Sequence, residues 1–280
     1  MTGGAGSSAH SIQPIMVIGA GKMGSAMVDG WLARGYRAGE ITLVDPIFAQ
    51  GGGTWIDKGV DVCVSVESAG IKKPSIILLA VKPQIMASAL ASVKALDRDN
   101  LVVVSIAAGV RSSTLRAALP RSTVVRAMPN TPSAVGEGIT ACFASSASSA
   151  ERERVAALMQ AVGSVVWVDA EALMDAVTAL SGSGPAYVFH LVEAMASAGE
   201  KLGLPANTAM TLARQTVVGA GALLSASDED AATLRENVTS PGGTTQAGLQ
   251  VLRDSGALAD LLAATVQAAA DRSAELASSE

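Results

Sequence analysis

The fold of this chain is decided by the run PIMVIGAGKMG at residues 14–24. A short apolar segment, Ile15–Ile18, is followed at once by glycines at positions 19, 21 and 24. In such a run the first glycine permits a tight turn, the second lets a ligand approach the backbone, and the third allows a helix to pack closely on the strand. The run therefore predicts a strand, a glycine turn and a helix, in that order.

The same alternation of strands and helices continues as far as about Asp169. Several of the apolar runs are apolar almost throughout, as expected for parallel strands that are covered on both faces. Stretches between them are long enough for crossover helices, so we predict a doubly wound α/β domain with a parallel sheet over residues 14–169. The predicted strands are Ile15–Ile18, Ile41–Val44, Ser75–Val81, Leu101–Ile106, Thr123–Ala127, Ile139–Phe143 and Val165–Val168.

The strand signal stops after Asp169, and residues 170–280 are predicted to be a helical domain. Gly- and Pro-containing turns divide this part, at 181–185, 203–205 and 240–243. The segment Tyr187–Leu202 is apolar on nearly every face, which is typical of a helix buried on all sides. A second subunit could provide part of that cover.

Composition excludes several classes of protein. The 280 residues are 49% hydrophobic, with a net charge of −5 and a pI near 5.1, so a nucleic-acid partner is not expected because it requires a concentrated basic face. No apolar run reaches the length of about 18 residues needed to cross a bilayer, and we expect a soluble, cytoplasmic protein with a flexible tail at residues 1–13. Cys63 and Cys142 lie in apolar stretches and are expected to be ordinary buried thiols; no metal site is predicted.

The glycine turn predicts a dinucleotide site. The diphosphate of such a ligand binds the free N–H groups at the start of the helix. Support comes from an acidic residue, Asp45, at the end of the second predicted strand, since a carboxylate there accepts hydrogen bonds from the ribose hydroxyls and repels a 2′-phosphate. No arginine lies in the loop that follows Asp45, so the sequence favours NADH over NADPH. The residues predicted here are Gly19, Ala20, Gly21, Lys22, Met23, Gly24 and Asp45.

Three more segments at the ends of predicted strands are candidates for the same crevice, because ligands of such sheets bind beyond the carboxyl ends of the strands. One contains Lys82, which could meet a cofactor phosphate or ribose, although a solvated lysine at a strand end is the alternative. The others offer small residues that leave room for a ligand, and an amide side chain. The predicted cofactor contacts in these segments are Ala80, Val81, Lys82, Pro83, Ala107, Ala108, Met128 and Asn130.

The run LRENVTSPGGTTQAGL at residues 234–249 is the most informative of the helical part. Pro-Gly-Gly ends one element and a Thr-Thr pair begins the next helix. Successive N–H groups in a glycine turn that leads into a helix form an anion-binding concavity, which suits a substrate carboxylate. A well-capped turn between two helices, without a ligand, is the alternative.

At this run the chain resembles the pyrroline-5-carboxylate reductase family. Agreement extends to GAGKMG at 19–24, AVKPQ at 80–84, RAMPNTP at 126–132 and ALSGSGPAYVF at 179–189, in order over roughly residues 14–255. The resemblance implies a Rossmann-type domain followed by an all-helical dimerisation domain, an active site between them, and a homodimer or higher homo-oligomer. It also implies reduction of 1-pyrroline-5-carboxylate to L-proline by NADH or NADPH, the last step of proline biosynthesis.

The family's functional residues are transferred to matching positions of this chain. Its cofactor-contacting asparagine corresponds to Asn237, and its hydroxyl near the imine nitrogen corresponds to Thr245, the expected catalytic residue. The expected substrate loop comprises Ser240, Pro241, Gly242, Gly243, Thr244 and Thr245. His190, in the middle of an apolar helix, is expected to be packed and hydrogen-bonded, not a proton donor.

Two other functions remain open at this point. The β-hydroxyacid dehydrogenases also join a Rossmann domain to a helical one, but they carry a catalytic lysine on the first long helix, and the stretch Gly184–Leu202 offers only Lys201 at its far end. A dinucleotide-sensing or scaffold protein without turnover is the non-enzymatic alternative, against which an intact 240–245 loop argues.

Overall fold

The computed structural model of the chain describes residues 14–48, 53–70 and 73–278. The predicted tail at residues 1–13 lies outside the described residues. All the predicted strands and site residues lie within them. The chain divides into two compact units, one formed by residues up to Gly182 together with the C-terminal stretch from Ala269, the other by Ser183–Ala268.

The first unit is built on one eight-stranded sheet with the order β3-β2-β1-β4-β5-β6-β7-β8. From β1 the chain adds β2 and β3 on one side and then β4 to β8 on the other. The boundary between β1 and β4 is therefore the topological switch point, at which doubly wound sheets bind their ligands. The strands are β1 (Ile15–Ile18), β2 (Ile41–Val44), β3 (Asp61–Cys63), β4 (Ile76–Leu79), β5 (Val102–Ser105), β6 (Thr123–Met128), β7 (Gly138–Phe143) and β8 (Gly163–Trp167).

The predicted α/β fold is confirmed, with two differences in the sheet. The short edge strand β3 was not predicted, because three residues carry too little periodicity to be read from sequence. Strand β7 runs antiparallel to β6, whereas its other neighbour, β8, is parallel to it. The reason is the connection at residues 129–137, which is too short for the crossover of a dozen or more residues that parallel neighbours require.

Alternate residues of the central strands enter two separate cores, one on each face of the sheet. In β1, Ile15 and Val17 belong to one core, while Met16 and Ile18 belong to the other. Both faces of the sheet are therefore covered by protein, which explains why these strands are apolar almost throughout. Cys63 and Cys142 are buried as expected, and burial raises the pKa of the Cys142 thiol to about 12, so this thiol stays protonated.

Helices cover both faces of the sheet. On one face, the Trp31 indole Nε1–H donates to the Leu158 carbonyl at 2.8 Å and joins two of them. The helix that carries Leu158 begins with a capping box between Ser148 and Glu151, which satisfies N–H groups that a helix start leaves free. The helices of this unit are α1 (Lys22–Ala33), α2 (Gly53–Asp57), α3 (Met86–Val93), α4 (Ser112–Ala118), α5 (Ser149–Gln160) and α6 (Leu173–Val177).

The second unit is entirely helical over its described residues. Its helices are α7 (Gly184–Lys201), α8 (Ala206–Ala226), α9 (Ala231–Asn237), α10 (Thr244–Arg253) and α11 (Ala257–Ser278), the last of which ends in the sheet unit. No helix among the described residues is both long and apolar enough to cross a membrane.

The division between the units differs from the boundary placed at Asp169 from sequence. Helix α6 and the turn at Thr178–Gly182 belong to the sheet unit. So does the end of α11, where the Ser273 hydroxyl donates to the Asp175 carboxylate at 2.7 Å and is buried. Helical periodicity alone does not tell which unit a helix packs against.

Helix α7, expected to be buried on all sides, is largely exposed within one copy of the chain. Ala196 is its buried residue, whereas Phe189 is 63% exposed. His190 is likewise exposed, so the expectation that it is packed does not hold within one chain; its hydrogen bond is present, from the ring to Glu193 at 3.0 Å.

Candidate active site

The glycine turn after β1 has the geometry that its sequence predicts. Gly19 has φ +100°, and a Cβ there would lie 2.8 Å from the Ala80 carbonyl oxygen. A Cβ on Gly24 would lie 2.3 Å from the Gly19 carbonyl oxygen. Both contacts are with backbone, so only glycine allows β1, β4 and α1 to meet this closely.

Gly21 differs from its two neighbours in the motif. A Cβ at Gly21 would meet no atom within 4 Å, so the backbone here faces open space. The first hydrogen bond of α1 runs from the Ser25 N–H to the Gly21 carbonyl. The N–H groups of Lys22, Met23 and Gly24 precede that bond and remain available to a ligand. The turn therefore fits a diphosphate group.

Asp45 follows β2 and is bound to the same turn. One carboxylate oxygen accepts the Ala20 N–H at 2.8 Å. The other accepts N–H groups of the loop after β2, from Ile47 at 2.8 Å and from Phe48 at 3.2 Å. The sequence indicated a ribose acceptor and did not reveal this second role, in which Asp45 fixes the glycine turn to the neighbouring loop. Since a carboxylate accepts about four hydrogen bonds, capacity for a ligand remains.

A cavity of about 550 Å³ opens beside this turn. It brings together several of the predicted cofactor residues, namely Gly19, Gly21, Asp45, Ala80, Val81 and Lys82. Its walls also include apolar and hydroxyl side chains that the sequence did not single out: Val64, Ser65, Val66, Ile85 and Ser88. The first three follow β3, so missing that short strand also meant missing its loop.

The remaining predicted cofactor residues lie farther along the same edge of the sheet. Ala107 and Ala108 follow β5, and Met128 ends β6, next to β5 in the sheet. Asn130 lies two residues after Met128. Its side-chain oxygen accepts the Ile139 N–H at 2.9 Å, which leaves its amide N–H₂ for a ligand. Ala20, Lys22, Met23 and Gly24 lie in the turn or at the start of α1, and Pro83 follows Lys82.

A partly buried ion pair on this unit was not predicted from the sequence. The Arg126 guanidinium, on β6, contacts the Glu171 carboxylate at 2.8 Å, and its side chain is 9% exposed. The Ser112 N–H and hydroxyl both donate to the same carboxylate at 2.6 Å. Burial opposes ionisation of Glu171, but the bonds from Ser112 and Arg126 outweigh it and hold the pKa of this carboxyl below its usual range. The network ties the segment after β8 to the start of α4.

In the helical unit, residues Ser240–Gly243 form a type II turn. The Gly243 N–H donates to the Ser240 carbonyl at 3.0 Å, and Gly242 has φ +71°. A type II turn requires positive φ at its third residue and favours proline at its second, where this chain has Pro241. Both central residues, Pro241 and Gly242, therefore match the preferences of this turn type.

Helix α10 begins directly after this turn. Its first intrahelical bond runs from the Ala247 N–H to the Gly243 carbonyl. The N–H groups of Thr244 and Thr245 precede that bond, and both threonine side chains are exposed. Within the described residues neither hydroxyl has a hydrogen-bond partner. The loop thus presents N–H groups and hydroxyls together, as the anion-binding interpretation requires.

Asn237, the predicted cofactor contact in this unit, ends α9. Its side-chain N–H₂ donates to the Glu229 carboxylate at 2.9 Å, which leaves its oxygen as an acceptor. Lys201, the candidate of the β-hydroxyacid dehydrogenase alternative, is the last residue of α7 and is exposed.

Comparison with known proteins gives two matching families. One, described as pyrroline-5-carboxylate reductase dimerisation, matches residues 171–276, and the other, described as NADP oxidoreductase coenzyme F420-dependent, matches residues 14–109. Pyrroline-5-carboxylate reductase of Pseudomonas aeruginosa is 41% identical over 266 residues, which cover 94% of this chain and 96% of that protein.

Solved structures agree with this comparison. A pyrroline-5-carboxylate reductase from Coxiella burnetii superposes with a TM-score of 0.88 at 35% identity, covering 95% of this chain and 98% of that one. Plasmodium falciparum pyrroline carboxylate reductase with NADP bound gives a TM-score of 0.77 at 28% identity, with the same two coverages, 95% and 98%.

Proposed function

Because the chain belongs to the pyrroline-5-carboxylate reductase family, we propose that it is an NAD(P)H-dependent oxidoreductase that reduces 1-pyrroline-5-carboxylate to L-proline. Besides family membership, the two turns of the chain support this proposal. The same chain holds a glycine turn that fits a diphosphate and a second turn, Ser240–Thr245, with donors suited to a carboxylate.

The sheet unit supplies the dinucleotide site. The free N–H groups of Lys22, Met23 and Gly24 bind the diphosphate at the positive end of α1. Asp45 holds the turn and offers its remaining acceptor capacity to the adenosine ribose. When bound, the dinucleotide supplies the hydride, and the protein contributes binding, orientation and electrostatics.

The helical unit supplies the substrate loop. The substrate carboxylate binds the N–H groups of Thr244 and Thr245, at the positive end of α10. The Thr245 hydroxyl hydrogen-bonds the ring nitrogen as the planar imine becomes a tetrahedral amine. A protonated imine is itself electrophilic, so no strong acid is required, which agrees with a chain that has only two histidines.

Asp45 directs the choice of dinucleotide toward NADH. Its carboxylate is held in place by three N–H groups and cannot easily turn away from a 2′-phosphate. Repulsion between this carboxylate and a 2′-phosphate bound beside it disfavours NADPH. The related Plasmodium falciparum structure has NADP bound, so this fold can accommodate a 2′-phosphate, and the residue after β2 is left to set the preference.

The active form is a homo-oligomer in the cytoplasm. Its support is the match of residues 171–276 to a dimerisation family and the exposed apolar side chains of the helical unit. Neither a membrane nor a nucleic acid is part of the proposal.

The direct test measures the oxidation of NADH and of NADPH, separately, with 1-pyrroline-5-carboxylate as the acceptor. We expect saturable turnover with both and a higher kcat/KM with NADH. An enzyme that oxidises β-hydroxy acids with NAD⁺ and leaves the imine unreduced would contradict the proposal. So would a protein that binds dinucleotide, shows no thermal shift with L-proline, and has no turnover.

A further inference from the structure

The type II turn at Ser240–Gly243 has a close alternative conformation. Type I and type II turns differ by a rotation of the peptide between their two central residues, here Pro241 and Gly242. Proline at the second position suits both types, and glycine at the third accepts φ of either sign. The four residues of the turn therefore leave this peptide free to take either orientation.

The two orientations are opposite in polarity. In one, the Gly242 N–H faces the start of α10; in the other, the Pro241 carbonyl takes that place. An N–H group there places partial positive charge beside the free N–H groups of Thr244 and Thr245, whereas a carbonyl oxygen would place partial negative charge beside them. For a carboxylate ligand, the orientation of this one peptide decides between attraction and repulsion.

Gln246 is the side chain that distinguishes the two states. Its Oε1 atom accepts the Gly242 N–H at 2.5 Å. Gln246 is the third residue of α10, the position from which a Glu or Gln in a capping box reaches back to the N–H of the cap residue. Here the cap residue is Gly243, and the side chain reaches one residue farther back. This bond exists only when the N–H faces the helix.

We propose that Gln246 is a positioning residue for the substrate carboxylate, which acts by holding the Pro241–Gly242 peptide with its N–H toward α10. The inference rests on the proposed function, since it assigns the loop to the carboxylate. A neutral amide is suited to this role because a glutamate would cap the turn equally well but would set a negative charge beside the substrate.

The matched test uses the full-length chain with Gln246→Met, which keeps the length of the side chain and removes the acceptor. Kinetics are measured with 1-pyrroline-5-carboxylate and with unsubstituted 1-pyrroline, which has the same imine and no carboxylate. The control is Gln250→Met, one turn along α10, because Gln250 lines the same small cavity as Gln246 and makes no bond to the turn.

For Gln246→Met we expect kcat/KM for the carboxylated imine to fall about tenfold, mostly through KM, the size of one hydrogen bond to a charged ligand. Turnover of 1-pyrroline, the KM for the dinucleotide and the melting temperature should stay at wild-type values. Affinity for L-proline, measured by calorimetry, should fall by a similar factor. Gln246→Glu should also raise the KM for the carboxylated imine, and Gln250→Met should behave as wild type.

Three results would overturn the inference. A lower KM in Gln246→Met would mean that the side chain competes with the substrate for the Gly242 N–H. Equal losses for both imines would mean that the loop is damaged in general, and unchanged kinetics together with unchanged affinity for L-proline would remove any role for Gln246. A wild-type chain that fails to reduce either imine would instead contradict the proposed function.

Discussion

The two units of this chain bury their apolar residues to very different degrees. The sheet unit has a core on each face, made of large side chains such as Trp31, Leu78 and Val103. In the helical unit, the buried apolar residues among those described are three alanines, Ala196, Ala209 and Ala213. Most of the large apolar side chains that the structure leaves exposed belong to this unit.

The difference shows that the two units depend on different sources of stability. Burial of a large apolar side chain is worth about 1.5–3 kcal/mol, so the sheet unit obtains its stability from its own residues. Helices that leave leucine and phenylalanine exposed form an interaction surface. Substitutions in the two units test this difference.

The largest effect is expected from a charge placed on the helical surface. Phe189→Glu should dissociate the oligomer, because a twofold assembly would lose two buried rings, about 3–6 kcal/mol in all, or more than a hundredfold in the dimer dissociation constant. Light scattering across micromolar concentrations measures the change.

The matched control for this change is Ile56→Glu. Ile56 is 51% exposed, lies on α2 of the sheet unit, and should leave the oligomer intact. A well-folded, active monomer of the wild-type chain at micromolar concentration would contradict the comparison between the two units.

A smaller effect, on catalysis, is expected at the start of α10. Thr245→Ala should lower kcat/KM about 5- to 150-fold, equivalent to roughly 1–3 kcal/mol, because the hydroxyl bonds the substrate nitrogen in the transition state. Its neighbour Thr244→Ala should leave the rate nearly unchanged. Melting temperatures and dinucleotide affinities of both variants show whether the loop remains folded. Wild-type turnover in Thr245→Ala would remove its catalytic role.

In the sheet unit, substitution of Asp45 should change the ratio of kcat/KM for NADH to kcat/KM for NADPH by about tenfold, equivalent to about 1.4 kcal/mol. Asp45→Ser and Asp45→Asn both remove the charge that repels a 2′-phosphate, so the preference for NADH should narrow or reverse. The asparagine keeps an acceptor for the Ala20 N–H, and should therefore retain more affinity for both dinucleotides than the serine does. If the wild type already prefers NADPH strongly, the proposed role of Asp45 is wrong.

The smallest effect concerns the pH dependence of stability. The pKa of Glu171 in the folded chain lies below the usual value of a glutamate. The bonds from Ser112 and Arg126 to its carboxylate therefore stabilise the fold fully at pH values above the unfolded-state pKa. This stabilisation is lost as the pH falls through the folded-state pKa. Glu171→Gln should cost about 1–2 kcal/mol at pH 7, since the side chain is partly exposed. This difference in stability between Glu171→Gln and the wild type should vanish at pH values below the folded-state pKa of Glu171.

Melting temperatures of Glu171→Gln and the wild type, measured at one protein concentration between pH 3 and 7, follow this difference. The exposed Glu153 on α5 provides the control as Glu153→Gln, whose stability should equal that of the wild type throughout. A constant difference between Glu171→Gln and the wild type across the pH range would rule out the proposed linkage.

Much of the site could be predicted from the sequence because it depends on backbone conformation. The glycines at 19 and 24 are required by contacts with backbone atoms, and Gly242 by a positive φ, so each is visible as a residue type at a fixed spacing. The assignment of these residues to a cofactor and a substrate remains a prediction.

Side-chain partners that are distant in sequence could not be predicted. Nothing near Glu171 in sequence indicates that it meets Ser112 and Arg126, 59 and 45 residues away. The short strand β3, and with it the Val64–Val66 wall of the cavity, had too few residues to show a period.

The sequence by itself determined the order of strands and helices apart from the short strand β3, the glycine turn after β1 and the turn at 240–243, because hydrophobic periodicity and the φ of glycine act locally. Only the tertiary structure decided that β7 runs antiparallel to β6, that Asp45 holds the glycine turn, and that Gln246 holds the Gly242 N–H. Those outcomes depend on which polar groups come together when the chain is folded. A backbone N–H group must be hydrogen-bonded, and its acceptor can belong to a residue that is distant in the sequence.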